Sequence, residues 1–225
     1  MSVGAGPVNL AWHVHFRHYK GARDLSEALA PVFNAEMKEL VEAGATYLQL
    51  EDLGAWLPLF TGDDADYKWV ANVIARTIEG VNAKIAWHFC FGNAWGNSLN
   101  AMFPKGYETV LPYYYDLPID QFVLDFANRE MAGIEALKSL PKDKEVQIGV
   151  LDVRTNMIET PEQVTARIQK VLSVIPAERV YLGTDCGMKA LPRIVARMKL
   201  RALAQAAGVV RRELTGESSR LAVAT

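Results

Sequence analysis

Residues 146–163 read VQIGVLDVRTNMIETPEQ, and this stretch decides the fold. Val146 to Val153 is an apolar run of strand length whose end carries polar residues, Asp152 and Arg154. Thr160-Pro161-Glu162-Gln163 then opens a helix. Thr160 caps it, Pro161 suits the first turn, where a missing N–H costs nothing, and Gln163 completes a capping box. Strand, polar loop and capped helix make one βα unit.

The same alternation continues in both directions. Upstream, strands are predicted at Val8 to Phe16, Tyr47 to Glu51, Lys84 to Phe91 and Gln121 to Asp125. Helices are predicted from Asp24 to Ala43, interrupted by Pro31 and stopped by Gly44, from Asp66 to Val81, and after Asp125 through about Lys138. Downstream, Val180 to Gly183 reads as the last strand, and a helix follows from about Leu191 to Ala207 with Gly208 as its stop. Gly92 to Pro118 is a long connection of the kind that carries function or forms a lid. Within it, Trp95 and Tyr113-Tyr114-Tyr115 suit either stacking on a flat donor or packing. Residues 1–216 read as a single domain and residues 217–225 as a disordered tail. Strands alternating with helices argue for an α/β fold with a parallel sheet and outer helices, of the TIM-type (β/α) barrel class.

Half of the 225 residues are hydrophobic and the formal net charge is −2, so charge gives no case for nucleic acid or an anionic membrane as partner. No stretch stays apolar for the ~20 residues a bilayer crossing needs. The start, MSVGAGPVNLAWHVHF, has neither a basic n-region nor a long apolar h-region. With two cysteines and no signal peptide, the cytoplasm is the expected compartment.

Polar residues gather at the C-terminal ends of the predicted strands: Glu51, Asp52, His88, Cys90, Asp125, Asp152, Arg154, Asp185 and Cys186. That rim carries the active site in β/α barrels. His88 and Cys90, two apart on a strand-like stretch, project to one face. Cys186 follows the last strand. If the two strands neighbour each other, an imidazole and two thiolates converge. Such a set suits zinc, with a fourth position for water, a carboxylate or a substrate thiol. Trp12-His13-Val14-His15 offers a different pattern, an HxH like that of metal-dependent amidohydrolases, but only His88 follows His18, so the further histidines those enzymes need are missing.

These motifs resemble, in order, those of the C-terminal catalytic barrel of the cobalamin-independent methionine synthase family. Gly6-Pro7-Val8 resembles a GPV-type strand start, and Gln49-Leu50-Glu51-Asp52 a QIDEP segment. His88-Phe89-Cys90 matches an HxC. Gly149-Val150-Leu151-Asp152-Val153 and Glu159-Thr160-Pro161-Glu162 resemble a GV-D-V and an E-P-E segment, and Asp185-Cys186-Gly187-Met188-Lys189 a DCGLK. The resemblance implies zinc held by His88, Cys90, Cys186 and Asp125, the last standing where the family usually has Glu. It implies that Glu51 and Asp152 line the pocket of a thiol substrate, with Glu51 on the amino group of homocysteine. The chemistry it implies is alkyl transfer to a thiol, made nucleophilic by loss of its proton to the metal.

Three departures qualify the resemblance. Arg154 stands where the folate enzymes of the family have a histidine; an arginine is a poor proton donor and suits an anionic substrate group instead. The proline of QIDEP is absent. The family has eight βα units and about six are read here, so the barrel is expected to be incomplete at the N-terminus. A homo-oligomer or a partner chain would then cover its open edges. The expected function is methyl transfer from a folate or corrinoid donor to homocysteine, with Asp152 and Arg154 as catalytic residues that also contact substrate. The alternatives are an epoxide–coenzyme M type of thiol alkylation, a non-catalytic zinc-binding subunit, and a metal-dependent amidohydrolase.

Overall fold

A computed structural model describes residues 1–92 and 106–216. Six strands, β1 (Ser2–Ala5), β2 (Tyr47–Glu51), β3 (Lys84–His88), β4 (Gln121–Asp125), β5 (Glu145–Leu151) and β6 (Val180–Thr184), form one sheet in the order of the chain. The β1–β2, β2–β3, β3–β4 and β5–β6 pairings are parallel. Among the described residues six α-helices accompany them: α1 (Pro7–His13), α2 (Ala22–Glu42), α3 (Leu57–Thr61), α4 (Ala65–Ile78), α5 (Pro161–Leu172) and α6 (Arg193–Thr215). The chain divides into two compact units, one of residues 1–89, 106–123 and 139–145, the other, among the described residues, of 90–92, 124–138 and 146–216.

In the first unit, Val8, Ala30 and Val73 from α1, α2 and α4 form a fully apolar contact, with Trp69 packed against it. Asn34 on α2 donates to the carbonyls of Thr77 and Glu79 at 3.0 and 2.8 Å, satisfying acceptors that the end of α4 leaves open. Trp56, Trp87, Phe89, Tyr107 and Tyr114 are buried together, with rings meeting edge-on or tilted; Tyr107 and Tyr114 bond their hydroxyls to the carbonyls of Phe89 and Ala55.

In the second unit the capping box of α5 forms as expected. Thr160 Oγ1 accepts from Gln163 N at 3.3 Å, and Gln163 Oε1 accepts from Thr160 N at 2.9 Å. Val164, Ile168 and Val171 bury the inner face of α5 at helical spacing.

Several expectations are corrected. Val8 to Phe16 is not a strand: α1 occupies Pro7–His13, and the strand is Ser2–Ala5. The cause is Asp52, whose carboxylate accepts from Val8 N and Asn9 N at 2.9 and 3.0 Å and so caps the helix from 44 residues away. Gly6 and Gly54 let that carboxylate approach, since a Cβ on either would stand within 3 Å of it. Pro31 lies inside α2 without ending it. No helix follows Asp125 to Lys138. Two 3-10 turns, Ala127–Arg129 and Ile134–Ser139, take its place, because Glu130, Met131 and Gly133 have positive φ between them. Gly208 is buried in mid-helix, and α6 ends at Gly216, in the left-handed region at φ 69°. Trp95 and the expected tail at 217–225 lie outside the described residues.

Candidate metal centre

His88 ends β3 and is buried. The strand stops there, so Cys90 lies just beyond it rather than on it; it too is buried, and Gly92 N donates to its Sγ at 3.4 Å. Cys186 sits on the turn after β6 and is half-buried. The ligand atoms of His88, Cys90 and Cys186 lie within 4.8 Å of one another, the one such group of three or more among the described residues. Glu51 Oε2 stands 4.0 Å from His88 Nδ1.

Asp125 ends β4, fully buried, and is outside that group. Its acidic neighbour is Asp185, also buried. The carboxylate of Asp185 accepts from the backbone N–H groups of Phe126, Ala127 and Asn128 at 3.0, 2.9 and 2.6 Å. This clasp joins the residue before Cys186 to the turn after β4. Burial and the charge of Asp125 push the Asp185 carboxyl well above the ordinary range, against the pull of the three donors. Gly149 makes room for it: a Cβ there would stand 2.2 Å from Asp185 Oδ1 and 2.6 Å from its Cα.

Arg154 is already paired. Its Nε and Nη2 donate to Asp152 Oδ1 and Oδ2 at 3.0 and 2.9 Å, its backbone N to Oδ1 at 2.8 Å, and Nη2 also to Asn128 O at 2.6 Å. Among the described residues Nη1 makes no hydrogen bond. Burial would raise the Asp152 carboxyl, but the guanidinium outweighs it and holds the group below its ordinary value.

The other candidates have structural partners. His13 closes α1 with Nδ1 on Asn9 O, and His15 lies in the segment that follows; both are exposed, so the strand-borne HxH does not exist. Tyr113 stacks on Tyr67 with ring centroids 3.6 Å apart, Tyr114 is core, and Tyr115 bonds Ser139.

Sequence reasoning missed the support behind the Asp152–Arg154 pair. Glu159 is buried and accepts from Asp152 N at 2.8 Å, from Lys199 Nζ at 2.7 Å and from Arg167 Nη1 at 3.4 Å. The available signal was Lys199, which shares a stripe of α6 with Ala202, Ala206 and Val210, where an apolar residue would be expected.

These features define an α/β protein with a parallel sheet in chain order and a nitrogen–sulfur–sulfur ligand group at its strand ends. The chain belongs to the cobalamin-independent synthase family, whose catalytic-domain model matches residues 4–209. It is 33% identical over 209 residues to a methionine synthase of Saccharolobus solfataricus, covering 93% of this chain and 58% of that protein. A methionine synthase of Sulfurisphaera tokodaii is 32% identical over 209 residues, with 93% and 56% covered. The chain therefore spans a little over half the length of these relatives. A solved B12-independent methionine synthase from Shewanella sp. W3-18-1, in complex with selenomethionine, superposes with a TM-score of 0.84 at 31% identity, over 96% of this chain and 63% of that one. This bears out the expected fold class, with the methionine synthase barrel-type domain matched over part of its length.

The residues present fit zinc. Ligand atoms around one tetrahedral zinc stand roughly 3.3–3.8 Å apart. A group no wider than 4.8 Å closes on an ion with small side-chain movements. One imidazole and two thiols are the borderline-soft donors that favour zinc over magnesium or calcium.

Proposed function

We propose that this chain carries the centre for methyl transfer to the sulfur of homocysteine, with zinc held by His88, Cys90 and Cys186. The observation that carries the reading is the gathering of these three side chains in a member of this family. Zinc bound there would supply the acidity that turns a thiol into a thiolate at neutral pH. Each turnover forms a carbon–sulfur bond, breaks the donor's bond to its methyl group and releases the thiol proton.

The chain's own residues would orient the reactants. Glu51, 4.0 Å from His88, would receive the substrate ammonium group. Asp125, with its short side chain, serves as a fourth donor through water or by a small shift. The Asp152–Arg154 pair lines the acid-bearing side of a substrate, with Nη1 as the edge still able to donate. Since Arg154 holds its proton, it does not replace a proton-donating histidine, which favours a methyl-corrinoid over a folate donor. We place the reaction in the cytoplasm. A second copy or another chain, covering the outer edges of β1 and β6, would be its partner.

The test is metal analysis of the purified protein together with methionine formation from methyltetrahydrofolate and from methylcobalamin. About one zinc per chain, and faster transfer from methylcobalamin, are expected. Absence of both zinc and methionine would sink the proposal.

A further inference from the structure

Lys199 has no part in the chemistry proposed above, yet its side chain is fully buried. Its Nζ donates to Met157 O and, at 2.7 Å, to Glu159 Oε2. The other oxygen of Glu159 accepts from Asp152 N and from Arg167 Nη1, and Arg167 also donates to Val150 O at 2.8 Å. One carboxylate thus binds α6, α5 and the end of β5 together.

Helix docking alone does not call for this arrangement. Replacing a buried ion pair by apolar side chains of similar volume is often neutral or stabilising, so docking by itself gives no reason for the charges. The geometry fixed here leads to a single group. Glu159 holds the backbone of Asp152; Asp152 takes three N–H donors of Arg154; Arg154 Nη2 reaches Asn128 O. The guanidinium is held on two edges, and Nη1 is left open.

We propose that Lys199 is a positioning residue: through Glu159 it fixes the Asp152–Arg154 fork so that Arg154 Nη1 faces a carboxylate or sulfonate of the substrate. This rests on the reading of Arg154 given above. A lysine that only docked α6 would be replaced by methionine without consequence at Arg154.

The Arg154 Nε–Hε signal, assigned by its loss in Arg154→Lys, gives a direct readout by nitrogen-15 NMR. It should exchange slowly with solvent in the unaltered protein and at least about tenfold faster in Lys199→Met, measured well below the thermal midpoint of each, where the fold is intact. KM for the acid-bearing substrate should rise in the same variant while kcat holds. Glu159→Gln serves where Lys199→Met does not fold, with the same expectation. Unchanged Hε exchange in whichever variant folds, or loss of the fold in both, overturns the proposal. If Hε exchange accelerates but Arg154→Lys leaves KM unaltered, the positioning stands and it is the anion-binding reading of Arg154 that fails.

Discussion

Besides His88, the candidate ligands Cys90, Cys186 and Asp125 have settings that differ. Cys90 is buried and bonded by Gly92 N, Cys186 is half-buried, and Asp125 is buried but outside the group. Cys90→Ser and Cys186→Ser should each abolish most zinc binding, because an alcohol does not ionise near neutrality as a thiol does. Asp125→Ala should cost less. Zinc content after dialysis against a weak chelator compares them directly; an equal or larger loss from Asp125→Ala would show that its carboxylate reaches the ion. At this scale the candidates themselves were legible, since both cysteines and the HxC spacing stand in the sequence. For Arg154 the sequence offers three acidic partners without choosing among them. Asp152, Glu51 and Glu159 all lie at strand ends or in the loop, and only the folded turn brings Asp152 Oδ1 and Oδ2 against the fork.

Between elements, long-range polar contacts do the joining. Asp66 in the first turn of α4 is buried and accepts from Thr61 Oγ1 at 2.6 Å and from Arg23 on α2. Burial raises its carboxyl, but the hydroxyl and the guanidinium together hold it below its ordinary value of 3.8. Such a group adds stability in full above the unfolded value and loses it as pH falls through the folded one. Between pH ~5 and ~2 the denaturant midpoint should therefore fall more steeply for the unaltered protein than for Thr61→Val or Arg23→Met. Equal slopes would mean that the pairing carries no linkage. The same kind of contact explains what pattern reading misses. Val8 to Phe16 is an apolar-rich run of strand length, and the distant Asp52 carboxylate, with Pro7 in the first turn, helps make Pro7–His13 a helix. Thr160 to Gln163 was readable because its cap is local. Gly208 misled because a glycine can also be a packing residue, buried inside α6.

Across the whole molecule, the order of strands was the legible part. Each βα segment of the chain adds the next strand beside the last, so β1 through β6 follow the sequence in space. The rank of polar residues along those strand ends suggested where a site lies, and the family match over residues 4–209 agrees with the resemblance that the motifs carry. Pattern alone did not show how the strand ends are braced. Asp185 and Glu159 do this as buried carboxylates that bind backbone N–H groups, and an acid used in this way looks like any other polar strand-end residue.

The Asp185 clasp bears on how metal would enter. Three peptide groups at 126–128 are tied to the residue preceding Cys186 by bonds that involve no ion. Most small zinc modules order their chain on loading, and the uptake of metal is then a folding reaction. The clasp beside Cys186, by contrast, is made of protein groups alone and would hold that turn before zinc binds. Titrating zinc into the metal-free protein should accordingly show a heat-capacity change close to zero and an unaltered far-ultraviolet circular dichroism spectrum. A large negative heat-capacity change would mean that the chain closes around the ion. A turn held in this way would make the loss of zinc reversible: a chelated molecule would keep that part of its shape and regain the ion without refolding it.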